Sequence, residues 1–414
     1  MVGGNISMSN RLFYVAQYFT PEPYLKDINF IKSLKDKGWD PVVITGFPNY
    51  PKGEIYSGYK NSVFKIEEME GIKVIRTYTY ADHSLNVFKR ILNYLCFGIL
   101  ASYAIFKFGK KESFYYVLQS SPFVIFTAWT VKLFKSKSKT LLDIQDVFPE
   151  NIRVSGVIKQ GWIINILDFI LNNFYYRFFD FFVTVSNSFN KIVQSKGISK
   201  SRVLTLYNWS MVEADGTTSS DNYQFAGNFY NIVYAGNIGV HQGLSLLTDA
   251  YKLVQEKYPK IKFHFFGDGT DFEALKSKLK EKQIHNVELH GRVSSTEISK
   301  YLNAADCLFL HLISDPIYES IIPSKLQAYV EVGKPILGGI QGEAAELVSA
   351  NNLGEVFNSE DNNAMLKAIE VLYNMDASTI EKILNNSKQL YADDFSRAAG
   401  ATKVDNFLKQ NIVN

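Results

Sequence analysis

Two successive runs of short apolar segments alternating with helical stretches make up this chain, with a polar stretch between them. In the first run, the segments 12–18 (LFYVAQY), 41–47 (PVVITGF), 114–119 (FYYVLQ), 140–147 (TLLDIQDV) and 181–186 (FFVTVS) have the length and the β-branched and aromatic content of strands covered on both faces. Helical spacing over 25–37 and 122–134 falls between them. This βαβ series predicts a mostly parallel, doubly wound sheet. The pattern restarts beyond 213–228, a stretch rich in Gly, Ser, Thr and Asp. Strand-like segments follow at 232–235, 261–266, 287–289, 307–312 and 335–338, with helices near 244–257, 272–282 and 296–304. A chain of 414 residues exceeds what one core organises. We therefore expect two α/β domains, 1–209 and 210–394, with a last helical stretch over 395–414 packing back on the first.

Composition narrows the class further. With 46% hydrophobic and 21% charged residues, disordered and fibrous architectures are excluded. Two distant cysteines, Cys96 and Cys307, make no disulfide framework and read as reduced thiols of a cytoplasmic protein. The opening MVGGNISMSN lacks the apolar run of a signal peptide, and Met8 is a second possible start.

Charge is divided unevenly. Residues 1–210 carry 26 Lys and Arg against 15 Asp and Glu, whereas 211–414 carry 18 against 26. A basic first half suits an anionic partner, a membrane surface before a nucleic acid, because the basic residues are spread and match no nucleic-acid reader motif. A solvated Lys-rich surface is the plainer alternative. Two apolar windows bear on the choice. Residues 91–106 (ILNYLCFGILASYAIF), flanked by Lys89, Arg90, Lys107, Lys110 and Lys111, span only about 24 Å as a helix, short of a bilayer core of about 30 Å. Residues 162–182 include a nearly continuous aromatic belt, which suits an interface or a thick core against the sheet, and for either window alone the core is the plainer reading. Together with the basic charge, these windows suggest peripheral attachment to an anionic leaflet.

Chemistry is concentrated in the second half. YAGNIGVHQG (234–243) reads as a strand, a glycine-rich turn and a helix starting near Gly243. Gly236 and Gly239 let backbone amides approach a diphosphate, with Asn237 and Gln242 beside them. An ordinary βα turn is the alternative. No glycine follows the first strand, where the turn reads YFTPEPYLKD, which argues against a nicotinamide dinucleotide there. DPIYESIIPSKLQAYVEVGKP (315–335) places Glu319 before a helix, where it can accept two ribose hydroxyls, and Ser324 and Lys325 where they can meet phosphate oxygens. GGIQGEAAE (338–346) adds further backbone amides. In the first half, Asp146 and Glu150 follow a strand end, Asp146 as an orienter of hydroxyls or as a helix cap, with Glu150 and Arg153 on the acceptor side. The six histidines are scattered, so no metal is expected, and His264 and His311 read as core residues.

In order along nearly the whole chain, FPNYPKGEIYSGYK, GIKVIRTYTY, DVFPE, LYNW, YAGNIGVHQGL, FFGDG with Gly267, HGRV with Arg292, IPSKLQAYVEVGKPIL and GEAAELV resemble the retaining glycosyltransferases of GT-B family 4, in particular the WbuB-like subgroup of bacterial surface-polysaccharide transferases. The resemblance implies two Rossmann-like doubly wound domains with an inter-domain cleft, acceptor binding in the first and a nucleotide-sugar, UDP-linked in the subgroup, in the second. It also implies transfer with retained configuration and without an essential metal or cofactor, with Lys325, Glu319 and Asp146 at the reacting centre. The acceptor would be a polyprenyl-diphosphate-linked saccharide at the inner face of the cell membrane. Three features depart from the family. The second acid of the usual EX7E pair falls near Gln327 or Ala328, the diphosphate-clamping cations are replaced by Asn237 and Gln242, and the first glycine loop is absent. A sugar-nucleotide epimerase on the same scaffold, or a non-catalytic nucleotide- or membrane-binding module, are the alternatives.

Overall fold

The computed structural model describes residues 9–82, 86–146, 169, 174–210, 223–316 and 318–411. The chain divides into two compact units, 1–207 with 397–414, and 208–396.

The first unit is built on an eight-stranded sheet. Its elements run β1 (Arg11–Ala16), α1 (Ile28–Asp36), β2 (Asp40–Gly46), β3 (Phe64–Met69), β4 (Ile72–Thr77), α2 (Val87–Phe108), β5 (Phe114–Leu118), α3 (Ile125–Phe134), β6 (Lys139–Ile144), β7 (Phe181–Thr184), α4 (Asn187–Ser195) and β8 (Val203–Thr205). The strand order β3-β4-β2-β1-β5-β6-β7-β8 is parallel except for the β3–β4 hairpin at one edge. The apolar runs are completely buried, as strands under helices on both faces must be: β5 (FYYVL) has no exposed residue. The edge hairpin escapes the strand pattern of the sequence because β3 (FKIEEM) is only half covered, with Lys65, Ile66 and Glu68 exposed and Phe64, Glu67 and Met69 half-buried. Helix α1 starts where Asp27 accepts from the amides of Asn29 and Phe30, and it buries Ile28, Phe30, Ile31 and Leu34.

Helix α2 is longer than the 91–106 window. Asn86 caps it by accepting from the Lys89 amide, and at 22 residues it runs about 33 Å, enough by length and composition to cross a membrane. Its inner face, with Phe97, Ala101, Ala104 and Ile105 buried, packs on α3, β2 and β4, and Asn93 is bonded to Gln17. The second aromatic window is divided: Tyr175, Tyr176, Phe179, Phe181 and Phe182 are core residues, and Phe174 is exposed. The buried half matches the alternative of a thick core against the sheet, with Phe181 and Phe182 of β7 drawn into it.

The second unit contains β9 (Tyr230–Ala235), α5 (Thr248–Lys257), β10 (Ile261–Phe266), α6 (Phe272–Glu281), β11 (Val287–Gly291), α7 (Ser295–Ala304), β12 (Cys307–His311), α8 (Ser324–Val332), β13 (Ile336–Gly339), α9 (Gly342–Ala350), β14 (Gly354–Phe357), α10 (Asn362–Tyr373) and α11 (Ala377–Leu390). All six strands are parallel in the order β11-β10-β9-β12-β13-β14. Order reverses between β9 and β12, the position where open α/β sheets present their ligand crevice. The final helix, α12 (Arg397–Gln410), belongs to the first unit. It packs on α1, its Asp405 accepts from the Trp39 indole at 2.9 Å, and Phe407 meets Phe181 edge-on.

Candidate functional site

The carboxyl ends of β9, β10, β12 and β13 gather most of the residues singled out in the second half. β9 ends in Gly236, whose φ of 139° is open to glycine and strained for other residues. The gap at its missing side chain is filled by Lys325 from the first turn of α8: a Cβ at 236 would lie 2.4 Å from Lys325 Cε and 3.0 Å from Nζ. Gly267, after β10, packs so closely that a Cβ there would meet the Gly236 carbonyl at 1.8 Å. The two strand-end turns and the lysine therefore interlock.

Lys325 is largely buried. Its ammonium lies 5.1 Å from the centre of the Tyr234 ring and has no carboxylate or hydrogen-bond partner among the described residues. Burial lowers its pKa to about 8. A buried cation without its own anion, at the first turn of a helix, is arranged to receive one from solution. Tyr329, one turn further along α8, secures the approach: its hydroxyl donates to the Phe309 carbonyl and accepts from the Ala235 amide, both at 3.1 Å. Ser324 is exposed at the first position of α8 and makes no capping bond, Pro323 occupying the cap.

Asn237, Gly239 and Gln242 form a self-bonded turn. The Gln242 side-chain oxygen accepts from the Asn237 amide group at 3.0 Å and from the Gly239 N–H at 3.1 Å. Both donors are therefore engaged, and a bound diphosphate must displace Gln242 to use them. The helix expected to open near Gly243 does not: two 3-10 turns occupy 240–246 and α5 starts at Thr248, because Gly243 takes a left-handed φ of 61°. The helix start expected beside this turn is thereby moved away, and the first turn of α8 is left as the helix start beside Gly236.

Glu319 sits in a short turn, Tyr318–Ser320, after β12. Its carboxylate has no partner among the described residues, while its backbone is pressed against Gly342 at the start of α9. A Cβ at 342 would lie 2.0 Å from the Glu319 carbonyl oxygen, and φ at 342 is 62°. The turn is tied to the glycine-rich one through the His241 and Tyr318 rings, 5.8 Å apart. Gln327, where the resemblance places a second acid, is buried. Arg292 is exposed beyond β11 and pairs only with Asp268, at 3.5 Å, among the described residues.

In the first unit, Asp146 is exposed two residues past β6, and Glu150 and Arg153 lie outside the described residues. The carboxyl edge of this sheet holds three buried charges that the sequence reading passed over. Glu22 accepts from the amides of Phe19, Asn49 and Tyr50 at 2.8–2.9 Å, joining the loops after β1 and β2. Burial raises its pKa against the lowering effect of those amides. Lys26 is ion-paired to Asp143 of β6, which also accepts from Tyr116 at 2.5 Å and Gln145 at 2.6 Å. The available signal was an acid inside the apolar segment TLLDIQDV.

The histidines also need correction. His264 is buried as expected, but the register of β10 against β11 brings it to Glu288 and His290, all three donor atoms within 4.8 Å of one another.

The chain is similar to known proteins in sequence and in fold. Residues 217–390 match the family described as Glycosyl transferases group 1. The chain is 24% identical over 253 residues to a "Probable glycosyltransferase WbjE" of Pseudomonas aeruginosa, a match covering 58% of this chain and 62% of that protein. It is 23% identical over 320 residues to a "Putative colanic acid biosynthesis glycosyl transferase WcaI" of Escherichia coli strain K12, covering 73% and 76% respectively. Among solved structures, Anabaena HepE in complex with UDP and glucose superposes with a TM-score of 0.60 at 12% identity, over 97% of this chain and 99% of that one. An E. coli trehalose-6-phosphate structure bound with UDP-2-fluoro glucose reaches 0.68 at 11% identity, over 98% and 99%.

Proposed function

Taking as premise that the chain has the GT-B fold and carries a glycosyl transferases group 1 domain over residues 217–390, we propose that it transfers a sugar from a nucleotide donor during bacterial surface-polysaccharide assembly. In this reading the second unit holds the donor. Lys325 and the first turn of α8 hold the diphosphate, Gly236 and Gly267 let it approach the strand ends, and Glu319 accepts from the ribose hydroxyls. The observation that carries the reading is the largely buried ammonium of Lys325 over Gly236, without a carboxylate or hydrogen-bond partner among the described residues.

Charge develops on the leaving diphosphate as the glycosidic bond breaks, and a preorganised cation stabilises it where it appears. Lys325 supplies that cation in a chain whose glycine-rich turn offers neutral Asn237 and Gln242. The reaction in this reading retains the anomeric configuration, with the leaving phosphate taking the acceptor proton, and needs no metal. The donor is a UDP-linked, N-acetylated sugar, and two neighbours of this fold hold UDP or a UDP-sugar.

The acceptor is a polyprenyl-diphosphate-linked saccharide presented at the cytoplasmic face of the cell membrane to the first unit. Support comes from α2 and α3, whose outer faces expose Phe88 (84%), Leu133 (75%), Ile99 and Phe134 among the lysines at 89, 107, 132 and 135. A thermal-shift series with UDP, GDP, ADP and dTDP tests the donor site. One base stabilises the wild type, and Glu319→Ala and Lys325→Met abolish the shift. Equal shifts in all three proteins overturn the assignment. Incubation of donor with a lipid-linked saccharide distinguishes transfer from release of an isomerised nucleotide-sugar.

A further inference from the structure

The geometry points to a divalent transition-metal site on the second sheet, formed by His264 of β10 with Glu288 and His290 of β11, independent of the Gly236–Glu319–Lys325 constellation. In β10, Phe263 and Phe265 enter the core, so Lys262, His264 and Phe266 face the other side. In β11, Val287 and Leu289 face that same core, so Glu288 and His290 face with His264. His264 is in register with Glu288. The register then slips, Phe265 opposing Leu289 and Phe266 opposing Gly291, so that His290 is the extra residue of a bulge, a device that re-aims a side chain.

The donor atoms converge at the separations an ion requires. His264 Nδ1 lies 3.1 Å from His290 Nε2 and 3.4 Å from Glu288 Oε2, and His290 Nε2 lies 3.9 Å from the same oxygen. A four-coordinate ion with bonds of about 2.0–2.2 Å holds its ligands about 3.3–3.6 Å apart.

The surrounding residues fix which atoms are free to bind. Asn231 donates to the Phe229 carbonyl at 2.9 Å and to Asp306 at 3.3 Å, which turns its amide oxygen toward His264. His264 Nε2 therefore carries its proton and donates to that oxygen at 3.1 Å, leaving the Nδ1 lone pair toward His290 and Glu288. The other Glu288 oxygen is held by Lys262 at 2.6 Å, so Oε2 is presented. Phe225 stacks on His264 and Phe266 on His290, which fixes both ring planes. Without an ion, the proton on His290 Nε2 bridges to His264.

Two imidazoles and one carboxylate suit a borderline ion such as Zn²⁺. His264 is 4% exposed, but His290 and Glu288 are 31% and 39% exposed, which gives an entry path and room for a water as fourth ligand. The ion would cross-link the edge strand β11 to the sheet.

The test is a titration of the chelator-treated, full-length protein with Co²⁺, followed by displacement with Zn²⁺. One equivalent of Co²⁺ is expected to produce the intense visible bands of a four-coordinate ion, and one equivalent of Zn²⁺ to abolish them. His290→Ala and Glu288→Gln are each expected to weaken binding at least tenfold, while His285→Ala, on an exposed histidine outside the cluster, leaves it unchanged. Glu288→Gln keeps the size of a partly exposed side chain, and metal-free melting curves show whether each variant is folded. Absence of such bands, or binding that persists in folded Glu288→Gln and His290→Ala, overturns the site and leaves a hydrogen-bonded histidine pair.

Discussion

Lys325 occupies the space that a side chain at position 236 would take, with its Cε 2.4 Å from where that Cβ would be. Position 236 therefore controls where the ammonium stands. Gly236→Ala must displace the lysine and also adopt a φ of 139°. We expect nucleotide stabilisation to fall at least tenfold in ligand-equivalent terms, and stability by about 1–3 kcal/mol from the strained backbone. Gly38→Ala is the control: φ is 94°, but no atom lies within 4 Å of its Cβ, so strain appears without loss of nucleotide binding.

The pKa of Lys325, lowered to about 8 by burial, predicts a pH dependence with a definite sign. Below about pH 8 the ammonium is charged and meets the diphosphate directly. Above it, binding must take up a proton, so affinity falls by up to about tenfold per pH unit. Melting shifts with UDP between pH 7 and 9.5 should decline in the wild type and stay absent across that range in Lys325→Met. For folding without ligand the sign is reversed. The unfolded lysine stays protonated to about pH 10.5, so the burial cost is fully present below pH 8 and is relieved as pH rises from about 8 to about 10.5.

Gly342 plays for Glu319 the part that Gly236 plays for Lys325. Gly342→Ala places a methyl within 2.0 Å of the Glu319 carbonyl oxygen and pushes the 318–320 turn away. Loss of nucleotide stabilisation comparable to that of Glu319→Ala, with α9 still formed by circular dichroism, is the expected result. A normal nucleotide shift in Gly342→Ala would show that Glu319 is not held for the ribose.

In the first unit, Lys26→Met leaves Asp143 buried without its cation. About 3–5 kcal/mol of stability should be lost, measured by urea denaturation. Lys32→Met removes an exposed, solvent-screened pair with Glu70 and should leave the urea midpoint nearly unchanged.

Vesicle binding tests the outer faces of α2 and α3. With Phe88 and Leu133 both changed to Ser, partitioning onto anionic vesicles should weaken at least tenfold, since each side chain loses about 1.5–3 kcal/mol of apolar transfer. Co-sedimentation at low and high salt separates this apolar contribution from that of the lysines.

Some of this protein is local in its sequence and some is not. The strands of both sheets were legible because a strand buried on both faces must be apolar throughout, as LFYVA and FYYVL are, and YAGNIG announced a tight turn through its glycines. Glu319 and Lys325 were legible as chemistry for the same local reason, a carboxylate and a cation ahead of a helix. The edge hairpin Phe64–Met69 and Ile72–Thr77 was not, because half of β3 faces water and its pattern has the charge of a loop. The full length of α2 was hidden because Lys89 and Arg90 interrupt the apolar run, although a capping asparagine starts the helix before them. Tertiary structure alone decided the rest. It laid Lys325 over a glycine nearly ninety residues earlier, paired Lys26 with Asp143, returned α12 to the first sheet, and set His264 beside Glu288 and His290. Each depends on strand order and register, which arise from packing between segments distant in the chain and leave no periodic mark within any one of them.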